Sequence, residues 1–150
     1  MSYSKIVATG SFLPKKILSN TDLEKIFDTS DEWIRTRTGI EQRHIVEDGQ
    51  STSDLAYFAA LDAIEKSSYN KNDINLIIVA TTTPDKIFPS VACAVQRKLG
   101  IKNIPAFDVQ AVCSGFIYAL TTADSFIKSG MYQKILVIGA DCMSTITDYT

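Results

Sequence analysis

Three stretches of the chain are almost entirely apolar, and each is long enough for one strand. They cover residues 74–82, 104–109 and 134–140. The first and last are rich in β-branched residues and do not alternate with polar positions. This pattern is typical of strands covered on both faces in a parallel sheet.

Apolar residues recur at helical spacing before and between these runs. The helices predicted from this spacing cover residues 54–67, 90–99 and 113–129. Strands therefore alternate with helices along most of the chain. This order predicts a layered α/β fold with a mixed, mostly parallel sheet and helices on both faces.

The amino-terminal third has shorter elements. Residues 5–13 are predicted to form a first strand, and a helix is predicted from Thr21 to about residue 28. A second short helix over 31–37 should end at Gly39, and residues 41–46 should be extended.

Composition narrows the classes of function. A chain of 150 residues has the usual size of one domain. Its net charge is −2 and it has no long run of lysine or arginine, so we expect neither a nucleic-acid nor a membrane partner. Cys93, Cys113 and Cys142 are widely spaced without a C-x-x-C pattern, which indicates neither a disulfide framework nor a zinc site. A cytoplasmic location fits this cysteine usage.

The main candidate for chemistry is Cys113, which follows the second apolar run and begins a predicted helix. A helix amino terminus favours a thiolate, the attacking form of cysteine. Small neighbours, Ala111 and Gly115 among them, leave room for a substrate carbonyl, and backbone N–H groups could face an oxyanion. The alternative is a small buried hydrophobe, which residue type alone favours.

Two further positions have a functional and a structural interpretation. Trp33 and Arg37 are four residues apart, so they share one side of a helix and could stack a base and hold a phosphate. Trp33 could equally pack in the core, with the arginines solvated. Phe88, in the predicted loop 81–88, is either a core residue or part of a pocket or interface.

Two segments resemble one known family. The sequence DTSDEWIRTRTGI at 28–40 and AVCSGF at 111–116 are similar to β-ketoacyl-acyl-carrier-protein synthase III. Phe107-Asp108 and the segment 5–14 also resemble this family, so the similarity covers the whole chain.

The resemblance implies a thiolase-like fold of two similar halves and the initiating condensation of fatty-acid synthesis. In this reaction an acyl-CoA condenses with malonyl-acyl carrier protein. It also implies a homodimer, with acyl-CoA as a substrate and no permanently bound cofactor or metal. By the same matching, Cys113 is the nucleophile, Trp33 and Thr29 contact the CoA adenine, and Arg37 contacts its phosphates. Phe88 would then limit the acyl pocket of the partner subunit.

Members of the family are about twice this length, as two halves of ordinary domain size require. Residues 1–150 are therefore expected to be the amino-terminal half, with the assisting histidine and asparagine in a carboxyl-terminal companion half. His44, the one histidine of the chain, lies in the wrong segment to replace that residue. The chain alone should lack condensation activity, and an intact-mass measurement would detect a longer parent or a companion fragment.

Other functions remain open at this point. A related thiolase-fold synthase could use another substrate, and a non-catalytic half could serve only to dimerise. A thiol redox protein is disfavoured because C-x-x-C is missing.

Overall fold

The computed structural model describes residues 3–149, which form two compact units. The larger unit contains Ser51–Asp141 and the residues up to Phe12, and the smaller contains Leu13–Gln50 and the residues from Cys142 onwards. No helix within 3–149 combines the length and apolar character needed to cross a bilayer.

In chain order the elements are β1 (Lys16–Ser19), α1 (Asn20–Leu23), α2 (Asp31–Thr38), β2 (Gln42–Ile45), α3 (Thr52–Lys66), β3 (Leu76–Ala80), α4 (Val91–Leu99), β4 (Ala106–Val109), α5 (Gly115–Lys128) and β5 (Ile135–Gly139), with 3₁₀ turns at Lys71–Asp73, Val112–Ser114 and Met143–Thr145.

A parallel sheet in the order β4-β3-β5 lies at the centre of the larger unit. Every residue of β3 is buried. At the middle of this strand, Ile78 pairs with Phe107 of β4 on one side and with Val137 of β5 on the other. The prediction that the most uniformly apolar run forms a strand covered on both faces is confirmed.

The two faces of this sheet carry different helices. Ile77 and Val79 of β3 pack in one core with apolar residues of α3 and α4. Their neighbours Leu76 and Ile78 point to the opposite face and pack against α5. Alternate residues of a strand face opposite ways, so one apolar strand stabilises both layers. This arrangement confirms the layered α/β prediction, with helices on both faces.

The smaller unit contains an antiparallel pair, β1 and β2, in which Leu18 lies opposite Arg43. The extended segment predicted over 41–46 is thus confirmed. Helix α2 begins after the N-cap Ser30 and ends at Gly39, whose φ of 70° suits a residue without a side chain.

The helix predicted from Thr21 to residue 28 is wrong in both bounds. It begins after Ser19, whose side chain forms a reciprocal cap with Asp22, and it ends at Leu23. Ile26 and Phe27 beyond it are exposed. Without an apolar face to bury, the segment lacks the packing that sustains a longer helix.

The predicted strand 5–13 does not form. Its backbone finds no partner strand among the described residues, and residues 10–12 lie against α3 instead. The N–H of Ser11 donates to the Asp62 carboxylate at 2.9 Å. A Cβ at Gly10 would lie 2.2 Å from the backbone nitrogen of Ala63, so the segment passes too close to α3 for a side chain there. A strand needs a partner for its donors and acceptors, and an apolar pattern alone does not supply one.

Candidate active site around Cys113

Cys113 lies in the short connection between β4 and α5. The 3₁₀ turn Val112–Ser114 carries it, and α5 begins directly afterwards at Gly115. Its side chain is exposed, so the interpretation of Cys113 as a small buried hydrophobe is wrong. Cys93, by contrast, is half-buried in α4, where its Sγ lies 3.6 Å from the carbonyl oxygen of Ala106. The prediction that Cys113 lies at a strand-to-helix turn is confirmed.

The residue before this cysteine has an unusual backbone conformation. Val112 has a φ of 47°, in the left-handed region that β-branched residues rarely occupy. The N–H of Ser114 donates to the carbonyl of Ala111 at 3.0 Å and closes the turn. A left-handed residue costs on the order of 1–2 kcal/mol, which the surrounding structure must offset. The result is a sharp turn that presents the thiol on the surface.

Cys113 lines a small pocket of about 200 Å³. Ala80 and Gly139, the last residues of β3 and β5, contribute two of its walls. The pocket thus lies at the carboxyl ends of parallel strands, where α/β sheets usually bind ligands. The full lining is Ala80, Val112, Cys113, Phe116, Gly139, Ala140 and Asp141.

The amino terminus of α5 is not capped by a side chain. Helices α2 and α4 are preceded by the N-caps Ser30 and Ser90, whose hydroxyl oxygens each accept a backbone N–H bond. Helix α4 also donates two N–H groups to Asp108. First-turn N–H groups carry partial positive charge and need acceptors. Next to Cys113 they can stabilise a developing oxyanion.

Gly139 allows a direct test of access to the thiol. A Cβ at this position would lie 3.1 Å from Cδ2 of Phe116, so larger side chains must enter the pocket. We expect Gly139→Val to slow alkylation of Cys113 by N-ethylmaleimide by roughly tenfold, because the added carbons fill the pocket. Peptide mass mapping measures the rate at Cys113 separately from the other cysteines. The alkylation rate of Gly139→Ala should lie between those of the wild type and Gly139→Val. Equal rates for all three proteins would contradict the described pocket.

Phe88 lies near the tip of the loop that leaves β3. Its side chain is 80% exposed, so the interpretation as a core residue is wrong. The neighbouring Ile87 is 96% exposed. Two adjacent apolar side chains in water suit a contact with another molecule.

Trp33 and Arg37 lie together on α2 in the smaller unit. The guanidinium carbon of Arg37 is 4.8 Å from the centre of the Trp33 ring, so the predicted shared side of the helix is confirmed. Trp33 is 54% exposed, which contradicts a core role. Arg35 instead forms ion pairs with carboxylates of its own unit. Thr29 is half-buried and directly precedes the N-cap Ser30.

This chain is similar to known proteins in both sequence and structure. Residues 107–150, which include Cys113, match the family model of 3-oxoacyl-[acyl-carrier-protein] synthase III. Over 148 residues the chain is 57% identical to the β-ketoacyl-[acyl-carrier-protein] synthase III of Xanthomonas campestris pv. campestris, a match covering 99% of this chain and 46% of that protein. A crystal structure of the 3-oxoacyl-[acyl-carrier-protein] synthase III from Aquifex aeolicus VF5 is 52% identical, with a TM-score of 0.93 over 97% of this chain and 47% of that one. Over nearly its whole length the chain is thus similar to part of the β-ketoacyl-acyl-carrier-protein synthase III proteins.

The chain spans about half the length of the curated synthase III relatives that it matches. A third similar protein is the priming β-ketosynthase from the R1128 polyketide pathway, at 31% identity and a TM-score of 0.93 over 98% of this chain and 44% of that one. The synthase III fold is thus shared with a protein of another pathway. Within residues 3–149, no group of three or more His, Cys, Asp or Glu side chains is arranged to hold a metal ion.

Two carboxylates were given no role from the sequence: Asp141, which lines the pocket, and Asp108, which accepts N–H groups at the start of α4. Asp108 is the third residue of β4, and Asp141 follows β5 by two residues. The sequence signal for Asp141 is a carboxylate just beyond an apolar strand, at the edge of the sheet where sites usually form. Asp108 is a charged residue inside an otherwise apolar run, and this too indicates that the side chain has a specific role.

Proposed function

We propose that the protein catalyses the initiating condensation of fatty-acid synthesis. An acyl-CoA, with acetyl-CoA as the expected donor, reacts with malonyl-acyl carrier protein to give 3-oxoacyl-acyl carrier protein, CO₂ and CoA. The observation that carries this proposal is the exposed Cys113 thiol, which lines a pocket beside the uncapped start of α5. Similarity to synthase III proteins over nearly the whole chain supports it.

The first half of the reaction is acyl transfer to the enzyme. The Cys113 thiolate attacks the carbonyl carbon of the acyl-CoA thioester, and the negative charge moves to the carbonyl oxygen. Backbone N–H groups at the start of α5, which no side chain caps, are proposed to stabilise that oxyanion. Collapse of the tetrahedral intermediate breaks the bond to the CoA sulfur. CoA leaves as a thiolate, and the acyl group remains on Cys113 as a thioester.

The second half forms the new carbon–carbon bond. Malonyl-acyl carrier protein loses CO₂, and the resulting carbanion attacks the acyl-Cys113 carbonyl. The cysteine thiolate then leaves, which regenerates the enzyme. Groups that assist the decarboxylation are proposed to come from a carboxyl-terminal companion half. His44 is not assigned this role, and its Nδ1 lies 2.6 Å from the carbonyl oxygen of Pro14.

Thr29, Trp33 and Arg37 are proposed to bind CoA, with the indole stacking on the adenine and the guanidinium contacting phosphate. The exposed Trp33 ring and the adjacent Arg37 suit this role. Phe88 is proposed to insert into the acyl pocket of the partner subunit in a homodimer. Its exposure at the loop tip supports this assignment.

Trp33 provides a quantitative test of the CoA site. Removing a base–aromatic stack costs about 1–3 kcal/mol, so we expect Trp33→Ala to raise KM for acetyl-CoA by roughly tenfold while kcat changes little. Trp33→Phe retains an aromatic face, so its KM should lie between those of the wild type and Trp33→Ala. Steady-state kinetics of CoA release at varied acetyl-CoA measures both constants. A fall in kcat at unchanged KM would contradict this placement of CoA.

The proposed function is tested on protein purified from its source, so that any further residues or companion chain are present. Incubation with acetyl-CoA should add an acetyl group to the peptide that contains Cys113. Adding malonyl-acyl carrier protein should then remove the label and release 3-oxoacyl-acyl carrier protein and CO₂. Absence of acetylation in this preparation would overturn the proposal.

A second candidate is a thiolase-fold synthase with another acyl donor or acceptor. The polyketide-pathway ketosynthase with the same TM-score supports this option. Acylation of Cys113 without turnover of malonyl-acyl carrier protein would favour it. A non-catalytic fragment that only dimerises would show neither step.

A further inference from the structure

The carboxylate of Asp141 holds the turn that follows β3. Its Oδ1 accepts the backbone N–H groups of Thr82 at 2.8 Å and Thr83 at 3.2 Å. The hydroxyls of Thr81, Thr82 and Thr83 donate to the same oxygen, each at 3.1 Å. Five donor groups of three consecutive residues thus lie within 3.2 Å of one oxygen and share its few acceptor sites. These bonds join the ends of β3 and β5, which are about 60 residues apart in sequence.

Further bonds fix the rest of the loop that begins at this turn. The Asp85 carboxylate accepts the N–H of Ser53 at 2.9 Å and the hydroxyl of Ser51 at 3.1 Å, which attaches the loop to the start of α3. At the other end, Asp108 accepts the N–H groups of Val91 and Ala92 at 2.7 and 2.8 Å. The loop is therefore anchored on both sides of its exposed tip.

Asp141 also lines the pocket that contains Cys113. The same side chain is thus part of the pocket wall and the acceptor for the loop. Hydrogen bonds to a carboxylate are stronger than those between neutral groups, so loss of this side chain should release the turn. Asp141 forms no ion pair within residues 3–149, and the donors that contact its Oδ1 from the Thr81–Thr83 turn are all neutral.

We propose that Asp141 is a positioning residue that fixes the shape of the Cys113 pocket by holding the Thr81–Thr83 turn. In the proposed condensation, which this part of the inference rests on, it would limit the length of the acyl group that Cys113 accepts. The turn directly follows Ala80 of the pocket wall, so its release should let this wall move and give longer groups access relative to shorter ones. The role is one of geometry, and Asp141 takes no part in bond formation.

The test compares the alkylation rates of Cys113 by N-ethylmaleimide and by N-octylmaleimide, using protein from its source. This readout does not depend on any synthase activity. We expect Asp141→Ala to shift the ratio of rates toward the longer reagent by about tenfold, the equivalent of one lost charged hydrogen bond. The amides of Thr82 and Thr83 should exchange with deuterium at least about tenfold faster.

Asp141→Asn keeps the size of the side chain and one oxygen acceptor, so its ratio should lie near that of the wild type. Asp62→Ala, which removes a carboxylate from α3 away from the pocket lining, serves as the matched control. A wild-type ratio in Asp141→Ala, with or without faster exchange, overturns the proposal. If the ratio shifts but acetyl-CoA labels none of the proteins, the proposed function fails and the positioning role stands.

Discussion

Cys113→Ala is expected to abolish acylation of the protein by acetyl-CoA. The variant lacks the atom that would form the thioester, and loss of a catalytic nucleophile lowers rates by roughly 10³-fold or more. Mass spectrometry of the intact protein and of its peptides measures the acetyl adduct. The structure gives no reason for a loss of stability, because the thiol is exposed.

Cys93→Ala is the matched control for this experiment. Its thiol lies half-buried in α4, against the carbonyl of Ala106. We expect this variant to become acetylated at Cys113 at the wild-type rate. Acetylation that persists in Cys113→Ala, or that disappears in Cys93→Ala, would show that another thiol accepts the acyl group.

Asn20→Ala is expected to lower the free energy of unfolding of the smaller unit by about 2–4 kcal/mol. Asn20 is 1% exposed and joins three elements of that unit. Its amide donates to the Asp31 carboxylate and to the carbonyl of Ile40, each at 2.8 Å, and its oxygen accepts from the Arg43 guanidinium. Alanine removes all three bonds at once from partly buried groups, and of these groups Asp31 keeps its ion pair with Arg35.

Urea unfolding followed by the fluorescence of Trp33, the one tryptophan of the sequence, measures this effect where it arises. Trp33 lies on α2, two residues beyond the Asp31 partner of Asn20. Asn72→Ala, at an exposed position in the larger unit, should change the transition by less than about 0.5 kcal/mol. Equal transitions for both variants would contradict the role assigned to Asn20.

Local sequence patterns predicted the features that are determined by residues close together in the chain. The uniformly apolar run around Ile78 could only be a central strand, and Gly39 marked the end of α2. The four-residue spacing of Trp33 and Arg37 placed them on one side of a helix, as the structure confirms. In each case the information lies within a few residues of the feature.

Features that depend on distant partners could not be predicted in this way. The apolar pattern of 5–13 indicated a strand but contained no information about a partner for it. Likewise, the acceptor role of Asp141 depends on a turn about 60 residues earlier in the chain. For Cys113, residue type favoured burial, and only the turn that carries it explains its exposure.

The anchored loop after β3 also has a thermodynamic consequence. Ordering one residue of a flexible segment costs about 1–2 kcal/mol of conformational entropy. Thr82, Thr83 and Asp85 are held by hydrogen bonds to other residues of the chain itself. A ligand that enters beside them therefore does not lose affinity by freezing this part of the loop. Calorimetry of ligand binding should show a larger entropic penalty for a variant without the Asp141 carboxylate than for the wild type.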